Sequence, residues 1–150
     1  MADPGVVDVR TSWTGKLPPQ MLQLLDSGED AQFDQIMTGI EDASSEVRTS
    51  LDKRIEPYGL PTLSAVLHEL DKWNLTDVAG QITCPVLITN PEDEQFWPGQ
   101  SQQLFDLIKA DGKTLVDFTA AEGANWHCEP MAPQVRGQRI FDWIDGVLEH

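Results

Sequence analysis

The chain has 150 residues, 40% of them hydrophobic and five of them tryptophan, a composition that marks a globular rather than a disordered polypeptide. A domain of this length buries about 68–70% of its unfolded surface, enough for a true core. Ten basic residues against 25 acidic ones leave a formal net charge of −15, which repels phosphate backbones and anionic lipid and argues against nucleic-acid or membrane-surface partners.

Two cysteines, Cys84 and Cys128, are too few for a disulfide framework or a metal cluster, and no cofactor is expected. No apolar run approaches the roughly 20 residues that span a bilayer. The start lacks the basic-then-apolar order of a signal peptide, so a soluble, cytoplasmic setting is expected. The closing Leu148-Glu149-His150 reads as the opening of a purification-tag scar, and no weight falls on His150.

In chain order, Gly5-Val6-Val7-Asp8-Val9 is a short β-branched run that predicts a strand. From Leu17 to about Trp73 the pattern turns helical. Pro18 and Pro19 open a first helix, where a missing N–H costs nothing, and it carries Met21, Leu22, Leu24 and Leu25 as far as Ser27-Gly28. Phe33, Ile36, Met37 and Ile40 recur at helical spacing and mark a second. Val47, Leu51 and Ile55 predict a third that Pro57 ends, and Pro61 starts a fourth with Leu63, Val66, Leu67 and Leu70 on one face.

After Gly80 the pattern changes. Pro85 leads into Val86-Leu87-Ile88-Thr89, a continuous apolar run of the buried parallel-strand kind, and Asn90-Pro91-Glu92-Asp93-Glu94 is an acidic turn at its end. A helix over Ser101–Ala110, a strand over Thr114–Phe118, a loop from Ala120 to Glu129 and a last helix from about Gln134 complete the order. Strands alternating with helices argue for a parallel α/β sheet of three strands, with a compact helical insertion between the first and second.

Ligands of open parallel sheets sit beyond the C-terminal strand ends. Two polar clusters fall there: Glu92-Asp93-Glu94 after one strand, and Gly123-Ala124-Asn125-Trp126-His127-Cys128-Glu129 after the next. Neighbouring strands are ~4.8 Å apart, so a carboxylate from the first cluster can meet His127 from the second. A buried carboxylate fixes an imidazole's tautomer and stabilises the imidazolium, as general-base catalysis needs. Trp97 and Trp126 flank the clusters and are candidate pocket-lining residues. Cys128 is a weak candidate nucleophile, since adjacent loop residues rarely face one another, and His68 falls off the apolar face of its helix.

The stretch Ile82-Thr83-Cys84-Pro85-Val86-Leu87-Ile88, followed by Glu94-Gln95-Phe96-Trp97-Pro98 and Gln100-Ser101, resembles the penultimate strand and acid turn of the α/β-hydrolase superfamily. Gly123-Ala124-Asn125-Trp126-His127-Cys128-Glu129-Pro130 resembles the histidine loop of one branch of it. That branch holds esterases and carbon–carbon hydrolases akin to fermentation-respiration-switch proteins and the dipeptidyl aminopeptidase/acylaminoacyl-peptidase group. Gln138-Arg139-Ile140-Phe141-Asp142-Trp143-Ile144 is similar to that branch's last helix, and Asp3–Val9 with Ser12-Trp13 to the strand before its helical lid. The resemblance implies the last three parallel strands of a hydrolase sheet, with a partial core over residues 1–16 and 76–150 and a helical lid insertion over 17–75. It makes His127 the general base. Glu94 occupies the acid position counted back from Pro98, while Asp93, one residue earlier, has the commoner side chain, so both stand as candidates.

Acyl transfer in that superfamily uses Gly-x-Ser-x-Gly, because the serine sits on a strained strand-to-helix turn between small neighbours. None of the seven serines, Ser12, Ser27, Ser44, Ser45, Ser50, Ser64 and Ser101, has glycine on both sides at that spacing. By resemblance the elbow and the earlier strands precede Met1. Three readings follow. The chain is the back half of a serine hydrolase whose parent cleaves ester, amide or carbon–carbon bonds of a small molecule. It is a non-catalytic binding module. Or it is a half-enzyme completed by another chain. An unpaired edge at Val6–Val9 is expected to invite self-association.

Overall fold

A computed structural model describes residues 1–149; His150, with its expected tag origin, lies outside the described residues. Among the described residues seven helices and two strands form. The chain divides into two compact units, Arg10–Trp73 on one side and Met1–Val9 with the residues from Asn74 onward on the other.

The Arg10–Trp73 unit is wholly helical: α1 (Thr11–Thr14), α2 (Pro19–Asp26), α3 (Asp30–Ala43), α4 (Ser45–Ile55) and α5 (Leu63–Leu70). Helix α3 packs against α2, α4 and α5. Its buried side chains are Phe33 and Met37, with Met21 and Leu25 from α2 and Leu63, Val66, Leu67 and Leu70 from α5. Ile36 and Ile40, on the expected apolar stripe, are instead exposed; the buried face of α3 is the single i,i+4 row of Phe33 and Met37. Ser44 caps α4 by accepting from Val47 N at 3.4 Å, and Thr62 caps α5 by accepting from Ala65 N at 3.2 Å. Asp34 on α3 accepts from both Ser64 N, at 3.0 Å, and Ser64 Oγ, at 2.6 Å, which ties α3 to the start of α5.

In the second unit β1 (Val86–Pro91) and β2 (Lys113–Phe118) form one parallel sheet, in register from Val86 opposite Lys113 to Pro91 opposite Phe118. Helix α6 (Gln100–Leu107) connects them and α7 (Pro133–Leu148) closes the chain. Strand β1 is almost fully buried, which its unbroken apolar run requires, whereas β2 is mostly half-buried. Val7, Ala79, Val86, Ile88, Leu104, Ile108 and Ala110 form one core cluster, and Phe118, Ala124 and Ala132 a second. Lys113 Nζ donates to the carbonyls of Phe105, at 2.8 Å, and Ile108, at 2.7 Å, so a cation from β2 satisfies the end of α6.

The expected third strand does not form. The sheet has two strands, and the mixed α/β fold is not a three-stranded hydrolase sheet. Ala2 pairs with β1 through its backbone, donating to Leu87 O at 2.9 Å and accepting from Thr89 N at 3.0 Å, a single parallel bridge to Ile88. Pro4 then has no N–H to offer a ladder. The N–H groups that follow turn toward side chains of α6: Gly5 N donates to Ser101 Oγ at 3.1 Å, and Val7 N and Asp8 N donate to Gln100 Oε1 at 2.7 and 2.8 Å. Tertiary side-chain acceptors thus override the β-branched propensity of Val6, Val7 and Val9, and the strand edge expected there is not present. Gly5 is required by this docking, since a Cβ on it would stand 2.7 Å from Ile88 Cγ2 and 2.8 Å from Ser101 Cα.

Gln100 therefore holds the amino-terminal segment in place. Gln100→Leu removes the side-chain acceptor of Val7 N and Asp8 N, and is expected to lower stability by roughly 2–4 kcal/mol. Urea midpoints of the variant and the parent at equal slope check this.

Candidate functional site

Register places the two polar clusters side by side, because Pro91 and Phe118 end the strands opposite each other. The turns beyond them are then stitched together. Glu92 N donates to Phe118 O at 2.9 Å, Asp93 N to Asn125 O at 2.8 Å, and Ala120 N to Glu92 Oε2 at 2.8 Å. Asn125 Nδ2 donates to Asp93 Oδ2 at 2.6 Å. The acid turn and the histidine loop are one hydrogen-bonded structure.

Within it, His127 Nδ1 lies 2.9 Å from Glu94 Oε2. The Glu94 side chain is only 5% exposed and that of His127 25% exposed. The second carboxylate oxygen is engaged from the opposite side: Phe96 N donates to Glu94 Oε1 at 2.8 Å and Trp97 N at 3.2 Å. Two backbone donors on one oxygen fix the plane of the carboxylate. The other oxygen faces Nδ1; a carboxylate can only accept, so a neutral ring in this contact carries its proton on Nδ1 and leaves Nε2 as its acceptor nitrogen.

Aromatic rings fix the imidazole from its sides. Phe96 stands edge-on to His127, with ring centroids 4.8 Å apart, and Trp97 is tilted against it at 5.6 Å. Trp97 is itself held by its Nε1–H, which donates to Val9 O at 3.3 Å. Trp126 is exposed and is not among the rings packed on His127. Of the two candidate acids, then, Glu94 meets His127 and Asp93 meets Asn125.

The loop after His127 carries two successive residues with left-handed backbone, Cys128 at φ 58° and Glu129 at φ 45°, an unusual pairing for residues other than glycine. Cys128 Sγ donates to Asp3 O at 3.4 Å. Burial, and then the Asp3 carboxylate, push its thiol above the ordinary range, so it is a poor thiolate nucleophile. Ser101, the only serine with a glycine two residues before it, is buried against Gly5. His68 lies in the helical unit, where Asp30 Oδ1, 2.8 Å from Nε2, and then Asp71 raise its pKa.

Four participants escape a sequence reading. Phe96 and Asn125 sit inside the quoted motifs, but nothing in their spacing distinguishes a contact with His127 or Asp93. Asp3 and Glu129 are two buried acids among 25 acidic residues, and in so acidic a chain no compositional signal separates a buried carboxyl from a solvated one.

Neither a protein-family model, nor a curated protein, nor a solved structure matches the chain. Among the described residues no helix is long and apolar enough to cross a membrane.

Proposed function

We propose that Glu94 and His127 are the acid and general base of a hydrolytic site for ester, amide or carbon–carbon bonds of a small molecule, and that the nucleophile comes from a polypeptide segment other than these 150 residues. The contact of the buried Glu94 carboxylate with His127 Nδ1 carries this reading. It is the arrangement in which an acid orients an imidazole so that Nε2 takes a proton from an attacking hydroxyl and returns it to the leaving group. The motif resemblance to α/β-hydrolases supports it independently, since the acid turn precedes the histidine loop in the order found there. That none of the seven serines stands in a Gly-x-Ser-x-Gly motif supports a nucleophile from another segment.

A fluorophosphonate probe tests the proposal. The chain alone is expected to remain unlabelled. Joined to the nucleophile-bearing half of a serine hydrolase of the branch it resembles, it is expected to be labelled at that serine. His127→Ala should then lower the labelling rate by about 10³-fold or more. Labelling of a serine in the isolated chain, or an unchanged rate in the His127→Ala chimera, would overturn the assignment.

A further inference from the structure

Two residues beyond His127, the Glu129 side chain is completely buried and neither of its carboxyl oxygens receives a hydrogen bond. Its neighbours explain why this is unusual. Asp3, whose side chain is 5% exposed, already has a donor on each oxygen: Thr89 Oγ1 donates to Oδ1 at 2.7 Å, and Arg136 Nε donates to Oδ2. The same Arg136 Nε is 3.6 Å from Glu129 Oε2, too far for a hydrogen bond. The titratable and charged groups facing Glu129 are thus Asp3 from the amino-terminal segment, Arg136 from α7 and the adjacent Cys128. One guanidinium serves two buried carboxyls, and it serves Asp3.

An ionised carboxylate without a donor is among the costliest groups to bury. Asp3 has both oxygens satisfied and Glu129 has neither. Glu129, buried without such partners, retains its proton. Burial first, and then the Asp3 carboxylate, push its pKa up to about 8.

The backbone shows what this buried acid holds. Cys128 and Glu129 both keep left-handed φ angles, a conformation that persists in ordinary residues only when surrounding contacts impose it. Glu129 N donates to Trp126 O at 2.8 Å, which closes a turn over His127 and Cys128, and Glu129 O accepts from Ala132 N at 3.1 Å in the next turn. With the Glu129 side chain inside, the chain reverses and His127 is directed toward Glu94.

We infer that Glu129, as a neutral carboxylic acid buried against Asp3, is the positioning residue of the His127 loop, and that its ionisation releases His127 from Glu94. A second negative charge beside the Asp3 carboxylate, where Arg136 is already hydrogen-bonded to Asp3, is relieved by outward movement of residues 128 and 129. That movement undoes the left-handed pair and takes the imidazole with it. The inference rests on the proposed role of His127 only for its catalytic meaning; the contact it describes is structural.

The test reads the tautomer of His127 by imidazole ¹⁵N shifts in the full chain. While Glu94 holds the ring, the neutral form is the Nδ1–H tautomer; a released ring reverts to a mixture dominated by Nε2–H. The Nδ1–H form is expected to persist at about pH 7 and to be lost with a single midpoint near 8. In Glu129→Gln, which is neutral at every pH, that loss should be absent. A wild-type tautomer unchanged through this range, or the same midpoint in Glu129→Gln, would overturn the inference. Should the variant fail to fold, the ¹³C shift of the wild-type Glu129 carboxyl decides. Titration near the ordinary 4.5 overturns the inference, and a midpoint shared with the His127 transition supports it. Because the readout is a tautomer, a folded chain that never supports hydrolysis counts against the proposed function alone.

Discussion

Glu94→Gln, in a chain supplied with a serine nucleophile, is expected to reduce the acylation rate by about 10⁴-fold with the fold intact. The size of the effect follows from the two backbone donors on Glu94 Oε1, Phe96 N and Trp97 N. A glutamine amide must present its carbonyl oxygen to those donors, so its NH₂ faces His127 Nδ1. Two donors cannot share one contact. The ring answers by moving its proton to Nε2, the nitrogen that must be free to accept one. The variant would therefore keep a hydrogen bond and lose the base, and its effect is one of tautomer rather than of lost contact. Asp93→Asn is the comparison, because Asp93 holds Asn125 rather than the imidazole, and its cost should stay below about tenfold. Acylation rates of the two variants check this. A similar small loss in both would reduce Glu94 to a structural ligand of the turn.

The second large effect is a dependence of stability on pH that runs opposite to that of most acids. Glu129 has a folded pKa of about 8 against 4.5 for the unstructured side chain. Below about pH 4.5 it is protonated in both states and its neutral form is fully accommodated. Between 4.5 and about 8 the unfolded chain releases this proton and the folded chain keeps it. Stability therefore falls as pH rises through that window, by roughly 1.4 kcal/mol per pH unit for one proton. Above it the penalty is constant. Glu129→Gln removes the titration, so the variant should gain on the parent steadily through this range. Urea unfolding of both chains at several pH values measures the difference. Parallel curves would mean that Glu129 ionises as an ordinary solvated acid.

Both effects arise from the same architecture, in which two turns beyond neighbouring strands lock onto each other. Four hydrogen bonds tie the acid turn to the segment after β2, two from Glu92 to Phe118 and Ala120 and two between Asp93 and Asn125, and they give Glu94 and His127 their fixed separation. Asp93 is thus important in a different way from Glu94. It joins the loops, while Glu94 orients the ring.

Residue patterns by themselves determine a good part of this. The proline-opened and apolar-periodic segments between Pro19 and Leu70 form helices, the run at Val86 forms a buried strand, and the run at Thr114 forms its neighbour. Those signals are local: period, proline placement and an unbroken apolar run act within one element and need no partner to be read. The order of the acid turn and the histidine loop was legible for the same reason. Tertiary structure decided the rest. The β-branched segment at Gly5–Val9 had every local mark of a strand, yet Ser101 and Gln100, more than 90 positions away, capture the N–H groups of Gly5, Val7 and Asp8. Glu94 and Asp93 are adjacent and chemically alike, and only the backbone donors of residues 96 and 97 and the amide of Asn125 separate their partners. Glu129 is one acid among many until Asp3 and Arg136 close around it. In each case the deciding contact joins residues distant in sequence, or depends on which of two neighbouring side chains a fold turns inward, and neither is encoded in the local pattern.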